Sequence, residues 1–174
     1  AQAIRVEGSG YRFDLVTPTH TYKDVYLKAM GRHNLFNAIG ALAVLDTGGL
    51  PLDKALASLR TFKGIRRRME VFSLENKTVV DDYAHHPEEI NAVLKTISEF
   101  YPDKRNMVVF QPHLFSRTQD FMQEFVEVLT QFDEIVLMDI YPAREEPIIG
   151  VSSDVLLELI QHKNKRKISE KDFQ

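Results

Sequence analysis

Between residues 87 and 161 helical and strand-like periods take turns, and this alternation restricts the fold more than any other feature of the chain. The stretch 87–101 has helical spacing, "NMVVF" (106–110) is a short apolar run, 116–131 is helical again, "EIVLMDI" (134–140) is apolar, and 153–161 returns to a helical pattern. Strands separated by helices of this length pair in parallel through right-handed crossovers, which predicts an open α/β sheet. From His162 the tail "HKNKRKISEKDFQ" is too polar to close a sheet by itself, so this sheet is expected to stop before its last strands and to be incomplete at its C-terminus.

The first third reads differently. Residues 4–30 carry the pattern of antiparallel strands: "YRFDLV" alternates, with Tyr11, Phe13 and Leu15 on one face, "GSG" and "TPTH" mark turns, and "YKDVYLKAM" is the next strand. From Asn34 the period becomes helical through Phe36, Ile39, Leu42 and Ala43, and Gly48-Gly49 ends it. Pro51 suits the first turn of a second helix with Leu52, Leu56 and Leu59 on one face. "MEVFSL" and "KTVVDD" then predict a hairpin around Glu75-Asn76. A boundary near Phe62–Gly64 divides the chain into two predicted domains, 1–63 and 64–174. The expected class is α/β: antiparallel strands plus helices, followed by an open, mostly parallel sheet.

A net charge of −3 gives no reason to expect nucleic acid or an anionic membrane as partner. With no cysteine, disulfides and thiolate zinc sites are excluded, which suits a reducing cytoplasm. No apolar run approaches the ~18 residues of a membrane span. The start, "AQAIRVEGSG", has no apolar h-region and no Met, and it enters directly on a strand pattern, so a piece of a longer protein is expected.

In an open α/β sheet, ligands bind beyond the carboxyl ends of the strands. Three apolar runs here end in polar loops: Asp81-Asp82-Tyr83-Ala84-His85-His86, "QPHLFSRT" and "YPAREEPIIGVSS". In the first, Pro87 fits position N1 of a helix and Glu88-Glu89 suit its dipole, while His85 and His86 read either as surface residues or as site residues. No metal-ligand spacing follows them. In the second, Ser116-Arg117-Thr118-Gln119 has the form of a capping box, with Ser116 as N-cap and Arg117 at N1. A cation there opposes the helix dipole, so Arg117 either turns to solvent or a nearby acid, or grips an anion together with the free N–H groups. His113 points to the same rim. Arg66-Arg67-Arg68 reads as a solvated face, or as a hinge from which one arginine reaches a phosphate. Asn34 and Asn37, at i and i+3, share a helical face; Asn34 caps the helix, or the two amides read a purine edge.

Five segments in order, "GRHNLFNAIGAL", "FKGIRRRMEVF", "VVDDYAHHPEEI", "FQPHLFSRTQDF" and "DIYPAREEPIIG", closely resemble the Mur ligase family over nearly the whole chain. The resemblance implies the end of a central ATPase domain (1–63) joined to most of a Rossmann-like C-terminal domain (64–174). The phosphate-binding loop and the Mg²⁺ ligands would then lie upstream, since no glycine here opens a GK[ST] motif. It further implies that Asn34 and Asn37 contact the adenine of ATP, Arg68 reaches its phosphates, and Asp82 binds its ribose. Tyr83 and His85 would help to hold the amino substrate, with Arg117 on its carboxylate and His113 nearby. His85 and Arg117 are the residues so implied for catalysis. The implied partners are UDP-N-acetylmuramate and L-alanine, joined by amide formation through an acyl phosphate. Domain closure about Phe62–Gly64 would exclude water, and the 174 residues alone would be inactive. The family often reads FQPHRxxR; here Leu114 stands in place of the first Arg.

Overall fold

The structure, a computed structural model, describes residues 1–169. It divides into two compact units, one of residues 1–83 with 95–102, the other of 84–94 with the chain from Asp103 on.

In the first unit, β1 (Gln2–Glu7), β2 (Gly10–Val16) and β3 (Thr21–Leu27) form an antiparallel meander with β2 in the centre. Tyr11, Phe13 and Leu15 are buried with Val25 and Leu27, as their alternation requires, and Leu35, Leu42 and Leu52 complete the core. A Cβ on Gly10 would stand 2.0 Å from the Leu27 carbonyl oxygen, so only glycine allows β3 this close. Tyr11 packs edge-on to Phe100 and donates its hydroxyl to Glu99 at 2.5 Å.

Helix α1 (Arg32–Thr47) begins earlier than the sequence suggested: Gly31, at φ 92°, is its N-cap, and Asn34 sits at the third helical position. Only glycine adopts that backbone readily, which moves the cap away from Asn34. The end follows expectation. Gly49 (φ 70°) sends its N–H to Asp46 O, and Leu50 N–H bonds Leu45 O, the paired bonds of a Schellman ending. Helix α2 (Asp53–Leu59) has Leu52 as its N-cap, so Pro51 precedes the helix rather than opening it.

The predicted hairpin is present: β4 (Glu70–Leu74) pairs antiparallel with β5 (Lys77–Asp81), turning through Glu75 at φ 48°. It forms a two-stranded sheet of its own. Val71, Phe72 and Val79 are each about two-fifths exposed, whereas a strand inside a parallel sheet is covered on both faces. Of the three polar loops expected on one rim, therefore, only two follow strands of the parallel sheet.

The second unit begins with the first part of α3 (Pro87–Phe100), with Pro87 at N1 as read. Then come β6 (Met107–Phe110), α4 (Phe115–Asp120), α5 (Met122–Leu129), β7 (Glu134–Leu137), α6 (Ser153–Leu159) and β8 (Lys165–Lys167). The sheet is parallel in the order β6-β7-β8. Central β7 is sealed, with Ile135, Val136 and Leu137 buried alongside Phe125, Leu129, Leu156 and Ile160. The predicted single helix 116–131 is two, broken at Phe121 (φ −115°, ψ 23°), whose ring lies edge-on to His86 at 4.4 Å.

The polar tail, read as unable to close a sheet by itself, contributes the short edge strand β8. Its cations are neutralised where they stand: Arg166 pairs with Glu134, and Lys167 with Asp154 (2.6 Å) and Asp139 (3.1 Å). The Lys165 ammonium donates to the Leu157 and Ile160 carbonyls at the end of α6. The final five residues of that tail lie outside the described ones. No helix among the described residues is long and apolar enough to cross a membrane.

Candidate functional site

Past their carboxyl ends, β6 and β7 stay zipped together. Met138 N–H bonds Phe110 O (2.9 Å), Tyr141 N–H bonds Pro112 O (2.8 Å), and Leu114 N–H bonds Tyr141 O (2.9 Å). This short parallel bridge stacks the His113 ring on Tyr141, with centroids 5.5 Å apart at 26°. The His85 ring lies 5.9 Å from that of His113.

Arg117 reaches back one helical turn. Its Nη1 lies 3.2 Å from His113 Nδ1 and 3.4 Å from the His113 carbonyl oxygen. A guanidinium can only donate, so His113 Nδ1 is the acceptor and the ring is neutral with its proton on Nε2. Its pKa is accordingly held below the ordinary histidine value, by burial first and then by the charges of Arg117 and His85. Arg117 keeps its remaining N–H donors, and among the described residues it makes no ion pair with a carboxylate.

Ser116 is not the helix cap. The N-cap of α4 is Leu114, and Arg117 occupies the third helical position rather than the first. Glu145, from the loop after β7, takes the capping role instead: it accepts the Ser116 hydroxyl at 2.5 Å and the Ser116 N–H at 2.9 Å. A full carboxylate outcompetes a serine hydroxyl for free N–H groups, and it also answers the field that Arg117 opposes. These bonds to Ser116, with the Phe115 N–H and the Arg117 charge, hold Glu145 below its ordinary pKa. Leu114, where the family often has Arg, is held at φ 74° and ψ 137°, a region costly to a residue with a Cβ, by about 1–3 kcal/mol. Its carbonyl is pinned by the buried Thr118 hydroxyl at 2.8 Å.

Below the His85 backbone, Glu89 closes the reverse half of a capping box. It accepts N–H groups from His85 (2.9 Å) and His86 (3.2 Å) and lies 3.3 Å from His85 Nδ1. His86 is a helix-start residue, its Nδ1 accepting the Glu88 N–H at 3.3 Å.

The remaining sequence-derived candidates lie in the first unit. Asn34 and Asn37 do share a face of α1, but the Asn34 amide donates to Met30 O at 2.7 Å, leaving its carbonyl for a ligand; Asn37 is exposed. Arg68 is exposed on the 65–68 turn. Its neighbour Arg67, at φ 58°, lies over the Tyr83 ring at 4.7 Å, and its carbonyl accepts the Tyr83 N–H. Asp82 accepts the N–H of Met69, itself at φ 50°. This carboxylate thus holds a strained turn. Among the described residues, no group of three or more His, Asp or Glu is arranged for a metal ion.

Tyr141, Glu145 and Glu89 are site residues that the sequence reading did not single out. Glu89 had a signal, an acid at N3 behind a proline at N1; the other two had only their place in a polar loop. A separate open trough of about 890 Å³ lies at the amino ends of β7 and β8, lined by Arg105, Asp133, Glu134, Lys163 and Arg166. It is at the wrong end of the sheet for the loops just described, and Arg166 and Glu134 neutralise each other within it.

Comparison with known proteins identifies the family. Residues 67–173 match the family model described as Mur ligase, glutamate ligase domain. The UDP-N-acetylmuramate–L-alanine ligase of Flavobacterium psychrophilum is 48% identical over 174 residues, covering 99% of this chain and 39% of the relative. That of Christiangramia forsetii is 47% identical, covering 99% and 38%. Among solved structures, the Thermotoga maritima UDP-N-acetylmuramate–alanine ligase superposes with a TM-score of 0.75 at 26% identity, over 93% of this chain and 35% of that one. MurF from Acinetobacter baumannii, at 18% identity and a TM-score of 0.74, shares the fold. The chain thus spans about two-fifths of the length of these curated relatives. By its family match and by its near-complete alignment with these ligases, the chain belongs to the Mur ligase family.

Proposed function

We propose that the chain is the amino-acid-binding and nucleotide-covering part of an ATP-dependent ligase that joins L-alanine to UDP-N-acetylmuramate in peptidoglycan precursor synthesis, in the cytoplasm. The observation that carries this is the convergence of His85, His113, Tyr141 and Arg117 beyond the carboxyl ends of β6 and β7. Arg117, tied to His113 by one nitrogen, keeps donors for the alanine carboxylate. His85 lines the same corner, where a ring nitrogen accepting an N–H of the amine would leave the amine lone pair available for attack, while the neutral His113, its Nδ1 taken by Arg117, orients that guanidinium. Tyr83 is the further residue that the family resemblance assigns to the amino substrate.

Asn37, the Asn34 carbonyl and Arg68 fit a nucleotide, since each is open to a ligand; Asp82 fits the ribose only if it does so while holding the Met69 N–H. ATP, with Mg²⁺ held by upstream residues, would supply the phosphoryl group that activates the muramate carboxylate. Closing about Phe62–Gly64, the boundary we propose between 1–63 and 64–174, would keep water from that activated group. The alternative from another class is a metal-dependent phosphohydrolase built on Asp81, Asp82, His85 and His86; it is disfavoured because His86 Nδ1 accepts the Glu88 N–H and Asp82 accepts the Met69 N–H.

The test is ADP release by the complete enzyme. Release that requires both UDP-N-acetylmuramate and L-alanine is expected. Release with a muramoyl sugar and a tripeptide but not with alanine would favour a peptide-recycling ligase of the same family, and release with neither refutes both. The 174 residues by themselves are expected to release none.

A further inference from the structure

We propose that Glu145 is the positioning residue of the amino-substrate corner: by capping α4 from a neighbouring loop it fixes Arg117 in place and bars the helix N–H groups to the substrate. This rests on the function proposed above, because the substrate whose carboxylate Arg117 holds is the one named there.

The geometry is specific. Glu145 spans 29 residues of sequence to reach Ser116 through both of its oxygens. It comes from the loop that also supplies Tyr141, and it seizes the helix that supplies Arg117, so the stacked His113–Tyr141 pair and the cap fasten the same two loops at two points. Rotation of α4 about its axis would carry Arg117 away from His113 and would have to break the cap first. The carboxylate faces Ser116 and the Phe115 N–H, with the Arg117 charge close by; His113 also lies within its field. At the start of the six-residue helix α4 this one carboxylate takes the Ser116 and Phe115 N–H groups. A substrate carboxylate arriving there meets a charge of its own sign, and the guanidinium is the group left to hold it.

Two variants separate positioning from simple capping. Glu145→Gln keeps an acceptor for the Ser116 N–H but removes the charge; Glu145→Ala removes both. In the complete ligase, the His113 ring is titrated by NMR. The Arg117 charge holds the His113 pKa down more than Glu145 holds it up, so release of Arg117 from His113 in Glu145→Ala is expected to raise that pKa, whereas loss of the Glu145 charge with Arg117 still in place would lower it. In the complete ligase, Glu145→Ala is expected to raise KM for L-alanine about tenfold or more. KM for ATP should stay within about twofold, and Glu145→Gln should recover part of the loss. A His113 pKa that falls or stays put in the Ala variant overturns the proposal, and so does an equal rise of both KM values in that variant. Wild-type enzyme that never releases ADP with alanine would instead sink the functional reading, while the His113 titration would still decide the role of Glu145.

Discussion

Glu89 lies under the His85-His86 turn, and its removal has a cost that can be worked from the geometry. Glu89→Ala deletes two carboxylate-accepted bonds, from His85 N–H at 2.9 Å and His86 N–H at 3.2 Å, together with the 3.3 Å contact to His85 Nδ1. Bonds to a charged group are worth about 1.5–3 kcal/mol each when water is excluded. The Glu89 side chain is 39% exposed, so water replaces part of what is lost, and the appropriate scale is that of a helix cap, about 1–2 kcal/mol in all. For a chain of this length that corresponds to a fall in Tm of roughly 3–6 °C. Thermal and urea unfolding of the variant measure it, and amide exchange at His85 and His86 localises it, since those two N–H groups lose their acceptor. Glu89→Gln, which keeps an oxygen in place, should lose about half as much. A Glu89→Ala protein within about 0.3 kcal/mol of wild type, with unchanged exchange at the two histidines, would refute the capping role.

Two further variants probe the first unit. Tyr11→Phe is expected to cost about 1 kcal/mol in urea unfolding, because Glu99 keeps Arg32 as a partner at 2.7 Å. Burial first, and Glu99 second, push the Tyr11 pKa well above its ordinary 10, so the wild type holds this stability below pH 10 and loses it as pH rises beyond; the Phe variant should lack that slope. Asp82→Ala strips the acceptor from the buried Met69 turn and should lower stability by about 1–2 kcal/mol. If it leaves stability unchanged and raises KM for ATP alone, Asp82 serves the nucleotide and not the turn.

Much of the fold was legible because it rests on short-range rules. Alternation at Tyr11, Phe13 and Leu15 placed β2 in the core, Gly48-Gly49 ended α1, and Pro87 opened α3. What was hidden depends on partners distant in sequence. Ser116 looked like a cap because a local pattern cannot reveal a carboxylate arriving from 29 residues away. The "KRK" of β8 was not read as a strand because its neutralising partners, Glu134, Asp139 and Asp154, lie elsewhere in the chain. Hairpin β4–β5 was assigned to the parallel rim on order alone, and its separation showed only in the structure, where it pairs with no strand of the parallel sheet. At the candidate site the reactive-looking residues were visible as types, His85, His113 and Arg117. The Tyr141 stack and the Glu145 brace that orient them emerged only when two loops met.

The assignment of the alanine carboxylate to Arg117 is tested most directly by replacing that residue in the complete ligase and measuring both KM values. Arg117→Ala should raise KM for L-alanine by about tenfold or more, with KM for ATP changed less than about twofold and partial recovery in Arg117→Lys. An equal rise in both values, or none in either, would contradict it.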